Sequence, residues 1–165
     1  MANRTYRYFK DEVLYPFGYG LSYTHFAYSD LKVTPTSAQT SSQVEVTARV
    51  TNTGSRAGDE VAQLYISKDN RPDYAPRKQL RGVERVYLKP GETRTVHFTL
   101  APKSFALVNE RGDLIVDPGS YTISVGGEQP GAKSIALASS TSVISAKVTL
   151  AGNADYLAKD RPFPR

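Results

Sequence analysis

The chain has no cysteine. That excludes a disulfide framework, a thiolate metal site and a cysteine nucleophile. It says nothing about compartment. Nowhere is there a run of about 18 apolar residues, so no membrane-spanning helix is expected. The opening MANRTYRYF lacks the apolar core of a signal peptide, so a role outside the cytoplasm is expected to need a segment ahead of it. The two histidines, His25 and His97, stand far apart, with no HxxxH spacing and no acidic partner. They read as surface imidazoles rather than as ligands or catalysts. There is no G-x-S-x-G elbow and no G-x-x-x-x-G-K-[ST] phosphate loop, and Gly18-Tyr19-Gly20 is too short to stand for one. No long run of like charges is present; the formal net charge of +5 reads as a mildly basic surface, not as a nucleic-acid or membrane site.

Carboxylate pairs can hydrolyse glycosidic bonds, so they merit inspection. Asp113 and Asp117 bracket a short apolar run, and Asp59-Glu60 sit at a turn exit. Aspartate opens turns by binding nearby backbone amides, and no apolar setting separates the two pKa values of either pair. No catalytic residue, cofactor or metal is expected.

What is present begins with Tyr15 to Phe26, YPFGYGLSYTHF. Tyr15, Phe17, Tyr19, Tyr23 and Phe26 are aromatic, and Pro16, Gly18 and Gly20 bend and stiffen the path. So many rings rarely stay exposed on a monomer, so the stretch is expected to be buried, as packing between domains. Sugar stacking on exposed rings is the other reading. Ahead of it, RTYRYF is expected to form one strand, which needs a partner.

Beyond it the periodicity is that of strands. Phe26–Val33 is expected as the first, followed by a Thr/Ser/Gln-rich loop. Val44, Val46, Ala48 and Val50 alternate with Glu45, Thr47, Arg49 and Thr51, the pattern of a half-buried antiparallel strand. In Val61–Ile66, Ala62, Leu64 and Ile66 are expected inward, with Gln63 and Tyr65 on the other face. Leu80–Leu88 and Thr93–Leu100 flank a Pro-Gly turn at Lys89–Glu92. A short helical turn after Pro102, a strand at Leu114–Val116, a second Pro-Gly turn, Tyr121–Val125 and a last strand at Val143–Leu150 follow. Residues 128–141 read as a loop with a weak apolar run, and the tail as loose or draped on the surface.

Seven to eight strands with frequent turns and no long amphipathic helix indicate an all-β fold. The expectation is an antiparallel β-sandwich of immunoglobulin or fibronectin type III kind with an irregular N-terminal arm; a closed barrel is the alternative. The expected division is 1–23 arm and linker, 24–150 sandwich, 151–165 tail. A polar loop over 68–81 gathers Arg71, Tyr74, Arg77, Lys78 and Arg81 as a weaker candidate surface, either an ordinary solvated loop or the edge of a cleft.

Together these residues resemble the C-terminal fibronectin type III-like domain of family 3 glycoside hydrolases, the β-glucosidases and β-xylosidases. The resemblance runs from about Arg4 to Gly127. Arg4 to Phe9 resembles the end of the preceding α/β sandwich domain, and Leu14 to Thr24 the linker motif into the β domain. Asn52-Thr53-Gly54 with Gly58 to Tyr65, Leu80 to Val86 with Leu88, Pro90, Gly91 and Glu92, and Asp117-Pro118-Gly119 with Tyr121 and Val125-Gly126-Gly127 are similar to its strands. Val83 stands where an aromatic is usual. Family members use an aspartate nucleophile in the first domain and an acid/base, commonly a glutamate, in or near the second. No residue here matches either motif. The resemblance implies a non-catalytic module whose partners are the catalytic domains of a parent glycosidase, often secreted or periplasmic. A free-standing polysaccharide-binding or adhesion module is the other expectation. Residues 4–23 are expected to be disordered, to fold back on the sandwich, or to pair with a second copy in a homodimer.

Overall fold

The computed structural model describes residues 3–131 and 141–157. The alternating Val44–Asn52 run becomes the central strand of a small sheet, with Val44, Val46, Ala48 and Val50 all buried. We number the strands β1 Phe26–Thr34, β2 Ser37–Gln39, β3 Val44–Asn52, β4 Gly58–Lys68, β5 Gln79–Leu88, β6 Thr93–Leu100, β7 Leu107–Val108, β8 Leu114–Val116, β9 Gly119–Gly126, β10 Val143–Ala151 and β11 Asp155–Tyr156. One sheet runs β1-β3-β6; the facing sheet runs β2-β10-β9-β4-β5; a third, short one runs β11-β8-β7. Pairing is antiparallel except between β2 and β10. Inward side chains of the two larger sheets interdigitate as one core, from Phe26 and Val46 through Leu64 and Ile66 to Ile123 and Leu150. This is the expected β-sandwich.

The Pro-Gly turn closes with Glu92 N–H donating to the Lys89 carbonyl at 2.9 Å and Gly91 at φ +73°, the left-handed position such a turn requires. A 3₁₀ turn, Pro102–Phe105, stands where the helical turn is expected. Three strands were not foreseen: β2, β7 and β11 have two or three residues each, too short for periodicity to register. In the described part of the tail, β11 pairs with β8 and Leu157 N–H reaches the Leu114 carbonyl at 3.0 Å. The apolar run within 132–140 and the end of the tail lie outside the described residues.

The N-terminal arm departs from its expected strand. Thr5–Tyr8 is a single helical turn, α1. A lone strand would need a free sheet edge; the turn instead brings the Tyr6 ring onto the sheet and leaves the Arg7 carbonyl free to accept from Arg77 N–H at 2.7 Å. The arm thus folds back on the sandwich, one of the expected outcomes.

Asn52, fully buried at the end of β3, ties the turn region together. Its Nδ2 donates to the carbonyls of Arg56 at 2.7 Å and Leu88 at 3.0 Å. Its Oδ1 accepts from the Thr24 hydroxyl at 2.6 Å and Gly54 N–H at 3.0 Å. Gly54 must be glycine, because a Cβ there would lie 2.2 Å from Thr24 Oγ1. Asn52→Ala strands four buried or half-buried partners, so a loss of about 2–3 kcal/mol is expected in urea denaturation. Thr53→Ala, at an exposed neighbour, is expected to cost less than about 1 kcal/mol in the same measurement.

Candidate functional site

The outer face of the five-stranded sheet carries the features that sequence reading singled out. On β4 the residues expected to face away from the core are Gln63 and Tyr65. They do, yet both are buried, because the arm lies over them. The Tyr6 ring stacks on Phe17 at 4.0 Å between centroids and 12° between planes, and meets Tyr65 edge-on at 6.3 Å. The Tyr6 hydroxyl accepts from Leu80 N–H at 3.2 Å on β5.

Gln63 secures this cover. Its Nε2 donates to the carbonyls of Gly18 at 3.2 Å and Gly127 at 2.6 Å, and its Oε1 accepts from the Tyr65 hydroxyl at 2.6 Å. One amide therefore ties the arm, the β9–β10 connection and β4 to one another. Gln129 N–H donates to the Phe17 carbonyl at 2.9 Å, and Lys78 Nζ donates to the Pro130 carbonyl. Gly18 sits at φ +82°, and a Cβ there would lie 2.2 Å from Gln63 Oε1. Only glycine brings the chain this close.

The five candidate aromatics part company. Phe26 is 3% exposed inside the sandwich; it is a core residue and has no face left for a neighbour. That corrects its place among the packing residues. It is the first residue of β1, and strand alternation turns it inward. Tyr15 and Tyr19 pack on each other with centroids 5.0 Å apart, and Tyr15 stays exposed. Phe17 is half covered by Tyr6. Tyr23 is 91% exposed, and beside it Leu21 is 89% exposed. Leu21 shares a groove with Asp59 and Val61 of β4. Register pairs Asp59 with Tyr87, Val61 with Arg85 and Gln63 with Val83, which sets all six on one sheet face. Val61, Val83 and Tyr87 are exposed there. The result is an apolar patch of Leu21, Val61, Val83 and Tyr87, with only the Arg85–Asp59 pair, 3.0 Å, crossing it. The sequence carries the clue: β5 alternates outward Val83, Arg85 and Tyr87, one charge among apolar residues.

Of the basic loop, Arg71 is folded inward, its Nη1 donating to the carbonyls of Pro72 at 3.2 Å and Ala75 at 2.7 Å. Tyr74 is exposed; Arg77, Lys78 and Arg81 are half-buried beneath the arm and beside the third sheet. Burial, then the neighbouring Arg77, lowers the Lys78 pKa.

The carboxylates have structural partners. Asp117 pairs with Lys68 at 3.2 Å, and Asp59 with Arg85. Asp69 collects Lys147, Ser120 and Thr122; burial alone would raise its pKa, but these hydrogen bonds outweigh it and hold the carboxyl low. Glu60 is different. It is buried, and its Oε1 accepts from the Tyr28 hydroxyl at 2.9 Å and the Thr141 hydroxyl at 2.8 Å. Burial raises its pKa, and raises that of Tyr28 as well.

Two outcomes are expected from these contacts. Gly18→Ala frees the arm, so the amides of Arg77, Leu80 and Gln129 lose hydrogen-exchange protection while those of β3 keep theirs. Glu60 binds its proton more tightly folded than unfolded, so the stability it contributes is full below about 4.5, its ordinary pKa, and is lost as pH rises through the raised folded value. Glu60→Gln keeps an acceptor oxygen and removes that loss. Its melting temperature relative to the unsubstituted chain is expected to rise from acid to neutral pH.

Residues 60–129 match the family of fibronectin type III-like domains. A β-xylosidase of Formosa agariphila is 44% identical over 125 residues, covering 73% of this chain and 17% of the relative. Thermostable β-glucosidase B of Acetivibrio thermocellus is 42% identical, with the same 73% and 17% coverage. Among solved structures, a β-glucosidase from Erythrobacter marinus superposes with TM-score 0.70 at 36% identity, over 83% of this chain and 17% of that one. The family 3 β-glucosidase of Bifidobacterium adolescentis gives TM-score 0.68 at 33% identity, over 91% and 20%. The chain thus spans about 17% of the length of the curated relatives it matches.

Proposed function

The chain carries a fibronectin type III-like domain of the kind found in family 3 β-glucosidases and β-xylosidases, and from that premise we propose that it is a non-catalytic module bracing the catalytic domains of such an enzyme and edging their cleft. The observation that carries the reading is the exposed apolar patch of Leu21, Val61, Val83 and Tyr87, with exposed Tyr23 two residues beyond Leu21 in the chain. A patch of this kind, rimmed by polar residues, marks a contact surface. The relatives supply the occupant: each is roughly six times longer than the matched segment, and the patch sits where the arm enters the sandwich. The partly covered rings of Tyr15, Phe17 and Tyr19 are candidates for further contact. The carboxylates support the non-catalytic reading: those that sequence reading considered are engaged in ion pairs, turns or buried hydrogen bonds. The cleft-edging role falls to the 68–81 loop, with Tyr74 exposed at its tip.

The test is a chimaera in which this chain replaces its matched region in the Acetivibrio thermocellus enzyme. The chimaera is expected to fold and to hydrolyse an aryl β-glucoside, whereas this chain alone turns over neither aryl β-glucosides nor aryl β-xylosides. Leu21→Asp with Tyr23→Asp is expected to lower the thermal stability of the chimaera and leave the melting of this chain alone nearly unchanged. Equal stability of the two chimaeras would remove the bracing role. Turnover that copurifies with this chain would remove the non-catalytic one.

A further inference from the structure

Two arginines, Arg7 on the arm and Arg81 on β5 beneath it, are not accounted for by docking. Among the described residues the ion pairs join Arg49 to Asp30, Lys68 to Asp117, Arg85 to Asp59, Arg94 to Glu92 and Lys147 to Asp69. Arg7 and Arg81 are in none of them, and yet they converge. Nη2 of Arg7 lies 3.3 Å, and Nη2 of Arg81 2.6 Å, from the same oxygen, Oε1 of Gln79. Arg81 Nη2 also donates to the Ala106 carbonyl at 3.1 Å, while its Nε is buried with no acceptor. Guanidinium has five N–H donors and accepts nothing, and a buried donor without a partner calls for one.

Backbone geometry aims Arg81 here. Leu64 of β4 pairs with Gly82 and Tyr65 with Leu80, so Arg81 is the extra residue of a β-bulge. Bulges re-aim side chains and concentrate beside sites. The side chain enters a cavity of about 490 Å³ between α1 and the third sheet. Arg7, Gln79, Tyr8 and Tyr74 line it too. Glu110 is the carboxylate in this lining; it is exposed and in no ion pair with either arginine.

We propose that this cavity is a binding site for a uronic acid residue, its carboxylate held by Arg7 and Arg81 and its ring set against Tyr8 and Tyr74. Guanidinium matches carboxylate in geometry and charge, and two of them gathered round one neutral amide oxygen leave positive charge to be met. The volume lies within the range of small-ligand pockets, and aromatic walls with a few converging polar groups are their usual lining. A tyrosine face also suits the apolar face of a pyranose. The site is independent of the docking patch, and it stands or falls separately from the bracing role.

The ¹⁵N-labelled full chain is titrated with sodium D-glucuronate, D-glucose and sodium acetate, following the Arg81 Nε–Hε resonance and the amides of Gln79 and Leu107. Glucuronate is expected to give saturable shifts, with affinity about tenfold or more above glucose and acetate. Arg7→Gln removes one long hydrogen bond from a half-exposed position, so it leaves the sandwich intact; about tenfold weaker glucuronate binding is expected. Arg81→Gln is expected to abolish it, with folding checked by the β3 amides. No saturable shift with glucuronate, an equal response to glucose or acetate, or unchanged glucuronate affinity in Arg7→Gln would each overturn the assignment.

Discussion

The five-stranded sheet has one uniformly apolar face; its other face mixes Asp59, Gln63, Arg85, Thr122, Ser124 and Lys147 with Val61, Tyr65, Val83 and Tyr87. The inner face of the five-stranded sheet meets β1-β3-β6 and forms the core. The outer face needs a second cover, and the chain supplies only part of it. Gln63 is the hinge of that cover. Its amide has two donors and one acceptor engaged, on the Gly18 and Gly127 carbonyls and the Tyr65 hydroxyl. Because the amide is buried, each of these bonds must be made or its desolvation is uncompensated. The arm is therefore held at Gly18, and everything before it follows: Tyr6 over Tyr65, Arg7 beside Gln79, α1 against the 68–81 loop. Past the arm, Leu21, Val61, Val83 and Tyr87 are exposed.

The interior and the arm region are built on different terms. Asn52 and Glu60 meet partners of matching kind, carbonyls for the amide nitrogen and hydroxyls for the carboxylate. Such closed networks specify one arrangement and favour rigidity. In the arm region Arg7 faces Arg81, and burial, then Arg77, lowers the Lys78 pKa. Arg81 Nε is buried there without an acceptor, and such a donor is where a ligand adds binding energy.

Where sequence and structure diverge, tertiary contact is the reason. Alternation placed Gln63 and Tyr65 correctly on the outward face, but outward became buried once the arm lay across them. RTYRYF has strand-like composition, yet it forms one helical turn that stacks Tyr6 on Phe17 and sets the Tyr6 hydroxyl on Leu80 N–H of β5. Phe26, expected both as the last ring of the aromatic stretch and as the first residue of a strand, opens β1 and is buried in the core. Burial of the whole 15–26 stretch was expected; within this chain Leu21 and Tyr23 are nearly bare. The short strands β2, β7 and β11 carry no readable period because they exist only as additions to edges made by other strands.

Sequence by itself determined the sandwich, its eight readable strands and its turns, because strand alternation and Pro-Gly chemistry act over neighbouring residues. It also carried the resemblance to the fibronectin type III-like module, whose motifs are local. Only the tertiary structure decided which outward faces are covered, that Arg7 and Arg81 meet although far apart in the chain, and that Gln63 holds the arm. Those facts depend on which distant segments share a surface, and no local period encodes that.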